Sequence, residues 1–209
     1  MTKIEAVIFD VGQVLHAYDP EPIYRDIIDT LGISEGDFKE NWNRLTIQLE
    51  LGTLTEEEYW RQFRIATGSL AQLPNESLLV RRYGVGFKIF DEVVNLARLL
   101  KERGIKIAVL SNSIKPHYEV NKRVGLYDHF PVQIFSYQVG LRKPDRRIYE
   151  LALNSLQTFA SSCLFIDDRE QNVEAAKNLG IHGHLFVNTE LLKVDLWDRF
   201  GIQISDQSE

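Results

Sequence analysis

Short apolar runs rich in branched residues, each broken by a polar or glycine-bearing turn, set the rhythm of the chain. Five of them have the length and continuous hydrophobicity of strands buried on both faces of a parallel sheet: "EAVIF" (5–9), "IKIAVL" (105–110), "VQIFS" (132–136), "CLFI" (163–166) and "HLFV" (184–187). Between the later runs the apolar positions switch to helical spacing. "DEVVNLARLLKERG" (91–104) carries an apolar stripe and closes on Gly104. "DRRIYELALNSL" (145–156) and "QNVEAAKNLG" (171–180) repeat the scheme, the second closing on Gly180. This alternation specifies an α/β core, a doubly wound, Rossmann-like parallel sheet.

One interval breaks the rhythm. A crossover between parallel strands needs only a dozen or so residues, yet roughly 95 lie between Phe9 and Ile105. Their pattern is helical in "PIYRDIIDTLG", "EGDFKENWNRLTIQLELG", "TEEEYWRQFRIATG" and "ESLLVRRYG", and Thr55 followed by Glu58 has the spacing of a capping box. The expected organisation is therefore an α/β core built from residues 1–15 and 86–209, with an all-helical cap subdomain, residues 16–85, inserted after the first strand. Trp42 and Trp60 fall at helical positions expected to fill the cap's own core. The tail "SDQSE" has the composition of a frayed end.

Composition narrows the function. With 44% hydrophobic residues in 209 and no biased segment, the chain can fill a substantial core. A net charge of -6 with dispersed Lys and Arg argues against a nucleic-acid partner, while leaving room for a local phosphate pocket. The start lacks a signal-peptide pattern, and no run reaches the ~20 apolar residues of a membrane span; no membrane association and a cytoplasmic location are the expectation. The single cysteine, Cys163, lies in an apolar run and reads as a small buried thiol.

Ligands of open α/β sheets bind beyond the carboxyl ends of the strands, so the residue after each run is where chemistry belongs. The first run ends in Asp10, the second in Ser111 and Asn112, the fourth in the pair Asp167-Asp168. Lys143 stands in "VGLRKPDRRIY" between the third and fourth. Any one of these suits a turn or a helix cap. Together they gather acids, hydroxyl, amide and ammonium at one edge, and two adjacent carboxylates repel unless a cation or proton joins them.

These segments resemble the motifs of the haloacid dehalogenase superfamily, in its phosphatase branch with a helical cap. "VIFDVGQVL" is similar to its first motif, "VLSNS" to the second, "GLRKPDRRIY" to the third and "FIDDREQNVEAAKNLG" to the fourth. The likeness runs from Ala6 to about Val187. "ELGTLTEEEYW" is similar to caps of the epoxide-hydrolase-like and α-glucose-1-phosphate phosphatases.

The resemblance implies a phosphatase acting on a small phosphorylated metabolite. In it Asp10 is the nucleophile that becomes transiently phosphorylated, and Mg²⁺ is held by Asp10, the Gly12 carbonyl and Asp168, with Asp167 beside them and Asn172 in support. Ser111, Asn112 and Lys143 bind the phosphoryl group, and Lys143 also faces the nucleophile. Arg142 and Arg169 flank the site as solvated helix-start arginines. One departure stands out: Gly12 occupies the position where most phosphatases of this superfamily carry an acid/base aspartate. It suggests a leaving group that needs little protonation, such as the anomeric oxygen of a sugar 1-phosphate, with His16 or Gln13 as other proton sources. It also supports the alternative of a non-catalytic phosphate-binding relative. A 2-haloacid dehalogenase is disfavoured by the acidic pair. His117, His129, His182 and His184 read as structural or solvated.

Overall fold

A computed structural model describes residues 3–204; the "SDQSE" tail lies outside the described residues. In chain order the elements are β1 (Ala6–Phe9), β2 (His16–Ala17), α1 (Glu21–Leu31), α2 (Glu35–Glu50), α3 (Glu56–Thr67), β3 (Lys88–Ile89), α4 (Asp91–Glu102), β4 (Lys106–Ser111), α5 (Lys115–Arg123) and β5 (Val132–Phe135). There follow α6 (Ser136–Val139), α7 (Arg146–Leu156), β6 (Cys163–Asp167), α8 (Glu170–Lys177), β7 (His182–Leu185) and α9 (Thr189–Phe200). Five strands form one parallel sheet in the order β5-β4-β1-β6-β7. The strand that comes first in sequence is central, so the chain winds outward from β1 in both directions and leaves a crevice beyond its carboxyl end.

Strand alternation explains the two layers around the sheet. Val7 and Phe9 face a core closed by α4 and α9, where Val93, Leu96, Leu192 and Leu196 pack. Ala6 and Ile8 face the opposite core with Ile148, Tyr149 and Ala152 of α7. Every residue of β1 is buried, the condition a continuous apolar run anticipates.

β2 and β3 pair antiparallel, His16 opposite Ile89, and bracket the helices α1–α3. These helices enclose a third cluster that includes Ile27, Leu45, Tyr59, Trp60 and Phe63. Ser34 and Thr55 cap α2 and α3 by accepting the N–H groups of Asp37 and Glu58. Glu58 spends its carboxylate on Arg61 and Gln62, so only half of the capping box forms. "ESLLVRRYG" departs from the expected helix. It is a series of turns, with Tyr83 N–H on the Val80 carbonyl and Val85 N–H on that of Arg82. That path buries the adjacent Leu78 and Leu79 together with Tyr83.

The last strand is displaced from "HLFV" to His182–Leu185. Hydrophobicity marks Phe186 and Val187. The sheet instead uses Gly183, whose missing Cβ leaves room for Val173 and Lys177 of α8. A close approach also fixes Gly52 after α2: its φ is +66°, and a Cβ there would overlap the Tyr137 carbonyl oxygen. Gly52→Ala is therefore expected to lower stability by about 1–3 kcal/mol, read as a drop in urea midpoint at unchanged slope. Cys163 is fully buried, and burial pushes its thiol up to about 12. No helix among the described residues is long and apolar enough to cross a membrane.

Candidate active site

The strand β1 delivers Asp10 to the carboxyl edge, where its N–H bonds the Ile166 carbonyl of β6 at 2.8 Å. The chain then turns sharply. Gln13 adopts φ +59°, its N–H meets the His16 carbonyl at 2.7 Å, and Leu15 N–H returns to the Val11 carbonyl at 2.9 Å. An acid can end a buried strand here because its charge is met: the Lys143 ammonium lies 2.7 Å from Asp10 Oδ1 and 2.7 Å from Asp167 Oδ2.

Lys143 is only 2% exposed. Its backbone is clamped by Asn112, which accepts the Lys143 N–H at 2.8 Å and donates to the Lys143 carbonyl at 2.9 Å. That clamp uses one amide hydrogen of Asn112 and leaves the other for a ligand. Ser111, nearly buried at the end of β4, lines the same cavity as Asp10, Lys143 and Asp168.

Asp167 is fully buried and saturated. Its Oδ1 accepts from Arg169 N–H and Asn172 Nδ2, and its Oδ2 from Lys143 Nζ and Asn172 Nδ2. Asn172 is held in turn by Tyr149, whose hydroxyl donates to the Asn172 carbonyl at 3.0 Å. Asp168 is half-buried.

Ligand oxygens of Asp10, Asp167 and Asp168 lie within 4.8 Å of one another. Three carboxylates against one ammonium leave the cluster about two charges negative, and all donors are hard oxygens, so the residues fit a divalent cation of the Mg²⁺ type. The electrostatics agree. Burial raises the Asp10 carboxyl above the ordinary carboxylate range, against the pull of Lys143, and Asp167 adds to the rise. Burial also raises Asp168, again with help from Asp167. Burial opposes the charge on Lys143, yet Asp10 and Asp167 together lift its pKa above that of an ordinary lysine.

The structure thus brings Asp10, Gly12, Ser111, Asn112, Lys143, Asp167, Asp168 and Asn172 to one edge of the sheet. Arg142 is not the solvated residue its position suggested. Its guanidinium holds Glu50, at the end of α2, with two contacts of 2.8 Å. Nothing in sequence signals a pair 92 residues apart. Ser136 also escaped sequence reading; fully buried, it accepts the Ser113 N–H at 3.0 Å and steadies the loop after β4. Trp60 packs in the helical core as expected. Trp42 does this too, but also lines the cavity beside the site. Of the histidines, His117, His182 and His184 are tied to Leu79, Ser161 and Asp195, and His129 is exposed.

Comparison with known proteins adds the family. Residues 4–180 match haloacid dehalogenase-like hydrolases. The chain belongs to this hydrolase family. It is 28% identical to a sesquiterpene phosphatase, astK, of Aspergillus oryzae, over 87% of this chain and 89% of that protein. It is also 28% identical to a phosphorylated carbohydrates phosphatase of Thermotoga maritima, over 85% and 82%. A HAD family enzyme from Bacteroides thetaiotaomicron, solved with magnesium and inorganic phosphate, superposes with a TM-score of 0.73 at 22% identity, covering 87% of this chain and 93% of that one.

Proposed function

We propose that this protein is a Mg²⁺-dependent phosphatase of small phosphorylated metabolites that works through a phosphoaspartyl intermediate on Asp10. The observation that carries the reading is the Lys143 ammonium lodged 2.7 Å from both Asp10 and Asp167, next to Asp168. The phosphatases among its relatives support it.

In this reading an Asp10 oxygen attacks phosphorus, a new P–O bond forms, and the bond to the leaving oxygen breaks with its electron pair on that oxygen. Water then cleaves the acyl phosphate, returning Asp10 and releasing phosphate. Ser111 Oγ–H, the second amide hydrogen of Asn112 and the Lys143 ammonium stabilise the transferring oxygens. Asp167 and Asn172 fix Lys143 in place. Asp10, the Gly12 carbonyl and Asp168 would hold the cation, which when bound offsets the phosphoryl charge. Residues 16–85 act as a cap over the core formed by 1–15 and 86–209, excluding water from the reaction.

Gly12 supplies no proton, which favours esters whose leaving oxygen needs little protonation, such as sugar 1-phosphates. Nothing lies within 4 Å of where a Cβ on Gly12 would sit, so Gly12→Asp is sterically open and tests this directly. With Mg²⁺, wild type is expected to hydrolyse glucose 1-phosphate faster than glucose 6-phosphate. Gly12→Asp should raise the 6-phosphate rate by about 10²–10⁴-fold and the 1-phosphate rate much less. Equal wild-type rates on the two isomers sink the leaving-group argument. No phosphate release from any ester by wild type, with or without Mg²⁺, favours a phosphate-binding relative instead.

A further inference from the structure

The turn that follows Asp10 is strained at one residue. Gln13 holds φ +59°, a left-handed conformation that glycine adopts freely and a residue with a Cβ does not. Gln157, also left-handed, ends α7, where that conformation is routine; Gln13 ends no helix. The turn is closed by backbone bonds: Gln13 N–H to the His16 carbonyl, and the N–H groups of Leu15 and His16 to the Val11 carbonyl. Val11, Val14 and Leu15 anchor it in the core. Gln13 itself is exposed, and its side-chain amide makes no hydrogen bond among the described residues. A glycine would serve this turn at least as well. Strain kept without a structural return points to a side chain that the site uses.

Its place indicates the use. The cavity of about 250 Å³ that holds Asp10, Lys143 and Asp168 is flanked by a wider groove of about 720 Å³ along the starts of α4 and α9. Gln13 and Asp168 are the two residues that line both, so they form the sill between the groove and the nucleophile. In the phosphatase reading Asp168 is given to the cation. Three side-chain amides line the Asp10 cavity. Asn112 is bonded to the Lys143 backbone and Asn172 to Asp167, which leaves Gln13 uncommitted among the described residues. The Glu50 carboxylate, also in the lining, is held by Arg142.

The second half of the reaction calls for such a group. Its leaving group is the Asp10 carboxylate, which departs without a proton, so holding a water in line with phosphorus matters more than deprotonating it. An amide neither gives nor takes a proton at neutral pH. Its Oε1 accepts from a water while its Nε2–H donates to a phosphoryl oxygen, and the two bonds together orient that water.

We propose that Gln13 positions the water that cleaves the phosphoaspartyl group, orienting it where Gly12 offers no side chain to activate it. The water oxygen bonds phosphorus, the P–O bond to Asp10 breaks with its electron pair on the carboxylate, and a water proton passes to a phosphoryl oxygen. This rests on the phosphatase reading and adds the residue that acts in its second step.

The test follows the phosphoprotein that the full chain forms with Mg²⁺ and radiolabelled acetyl phosphate, an activated donor, chased with the unlabelled compound and quenched in acid. Gln13→Gly is expected to slow decay of the label about 10²-fold, the scale on which a misplaced reactant is felt, and to raise the phosphorylated fraction at steady state. Its kcat and KM should fall together, leaving kcat/KM, which reports formation of the phosphoprotein, within about twofold of wild type. Its urea midpoint should be no lower than that of wild type, because glycine relieves the turn. Gln13→Met, similar in length but without the amide, should decay as slowly as Gln13→Gly. Decay within about threefold of wild type in either variant overturns the proposal. So does a loss in kcat/KM as large as that in kcat, which would move Gln13 to the first step, or a lower urea midpoint in Gln13→Gly, which would make the side chain structural. A wild type that neither forms phosphoprotein from acetyl phosphate nor releases phosphate from it overturns the phosphatase reading itself.

Discussion

Asp10→Asn is expected to remove phosphate-ester hydrolysis by about 10⁴–10⁶-fold, the scale on which loss of a nucleophile is felt, while leaving the fold intact. The amide keeps the size of the carboxyl and its place at the end of a fully buried strand, so the change isolates the chemistry. Acid quenching during turnover should trap a phosphorylated protein from wild type and none from the variant. The quench matters because a binding-only protein also loses nothing measurable on mutation. A variant retaining more than about 1% of the wild-type rate would show that Asp10 is not the attacking group.

Lys143→Met has the second large effect, and it falls on stability as well as rate. The ammonium is buried between Asp10 and Asp167, which are 7% and 0% exposed. Removing it leaves two carboxylates facing each other in a dry crevice. Breaking a buried pair in this way costs about 3–5 kcal/mol, and losing one phosphoryl donor costs about 10²–10³-fold in kcat. Adding Asp167→Asn to Lys143→Met takes away one of the stranded charges and should restore much of the urea midpoint without restoring activity. If the double variant is no more stable than Lys143→Met, the stranded charge is not what destabilises it. If Lys143→Met keeps full activity, the lysine does not touch the phosphoryl group. The missing proton shuttle at Gly12 leaves this charge stabilisation untouched, because the ammonium and a cation would still supply it.

How much of this was legible beforehand depended on how local each signal was. β1, β4 and β6 could be read within a residue because strands buried on both faces are near-continuous apolar runs, and the edge strand β5 could be read from Val132, Ile134 and Phe135 despite its exposed Gln133. β7 was misplaced by two residues because an edge strand packing through Gly183 against α8 carries no apolar mark. "ESLLVRRYG" read as helix because its composition suits one, whereas the chain forms turns there that bury Leu78, Leu79 and Tyr83.

The sequence by itself determined which chemical groups stand after which strand: Asp10, Ser111, Asn112, Lys143, Asp167 and Asp168 are each placed by a local run and the turn that ends it. Only the tertiary structure decided how those groups divide their bonds. Asp167 is consumed by Lys143, Asn172 and the Arg169 N–H, Asn112 spends half its amide on the lysine backbone, and Arg142 reaches Glu50 across to α2. The reason is physical. Strand and helix preferences act over a few residues, while hydrogen-bond saturation and charge pairing depend on segments that meet only after the sheet has closed around β1.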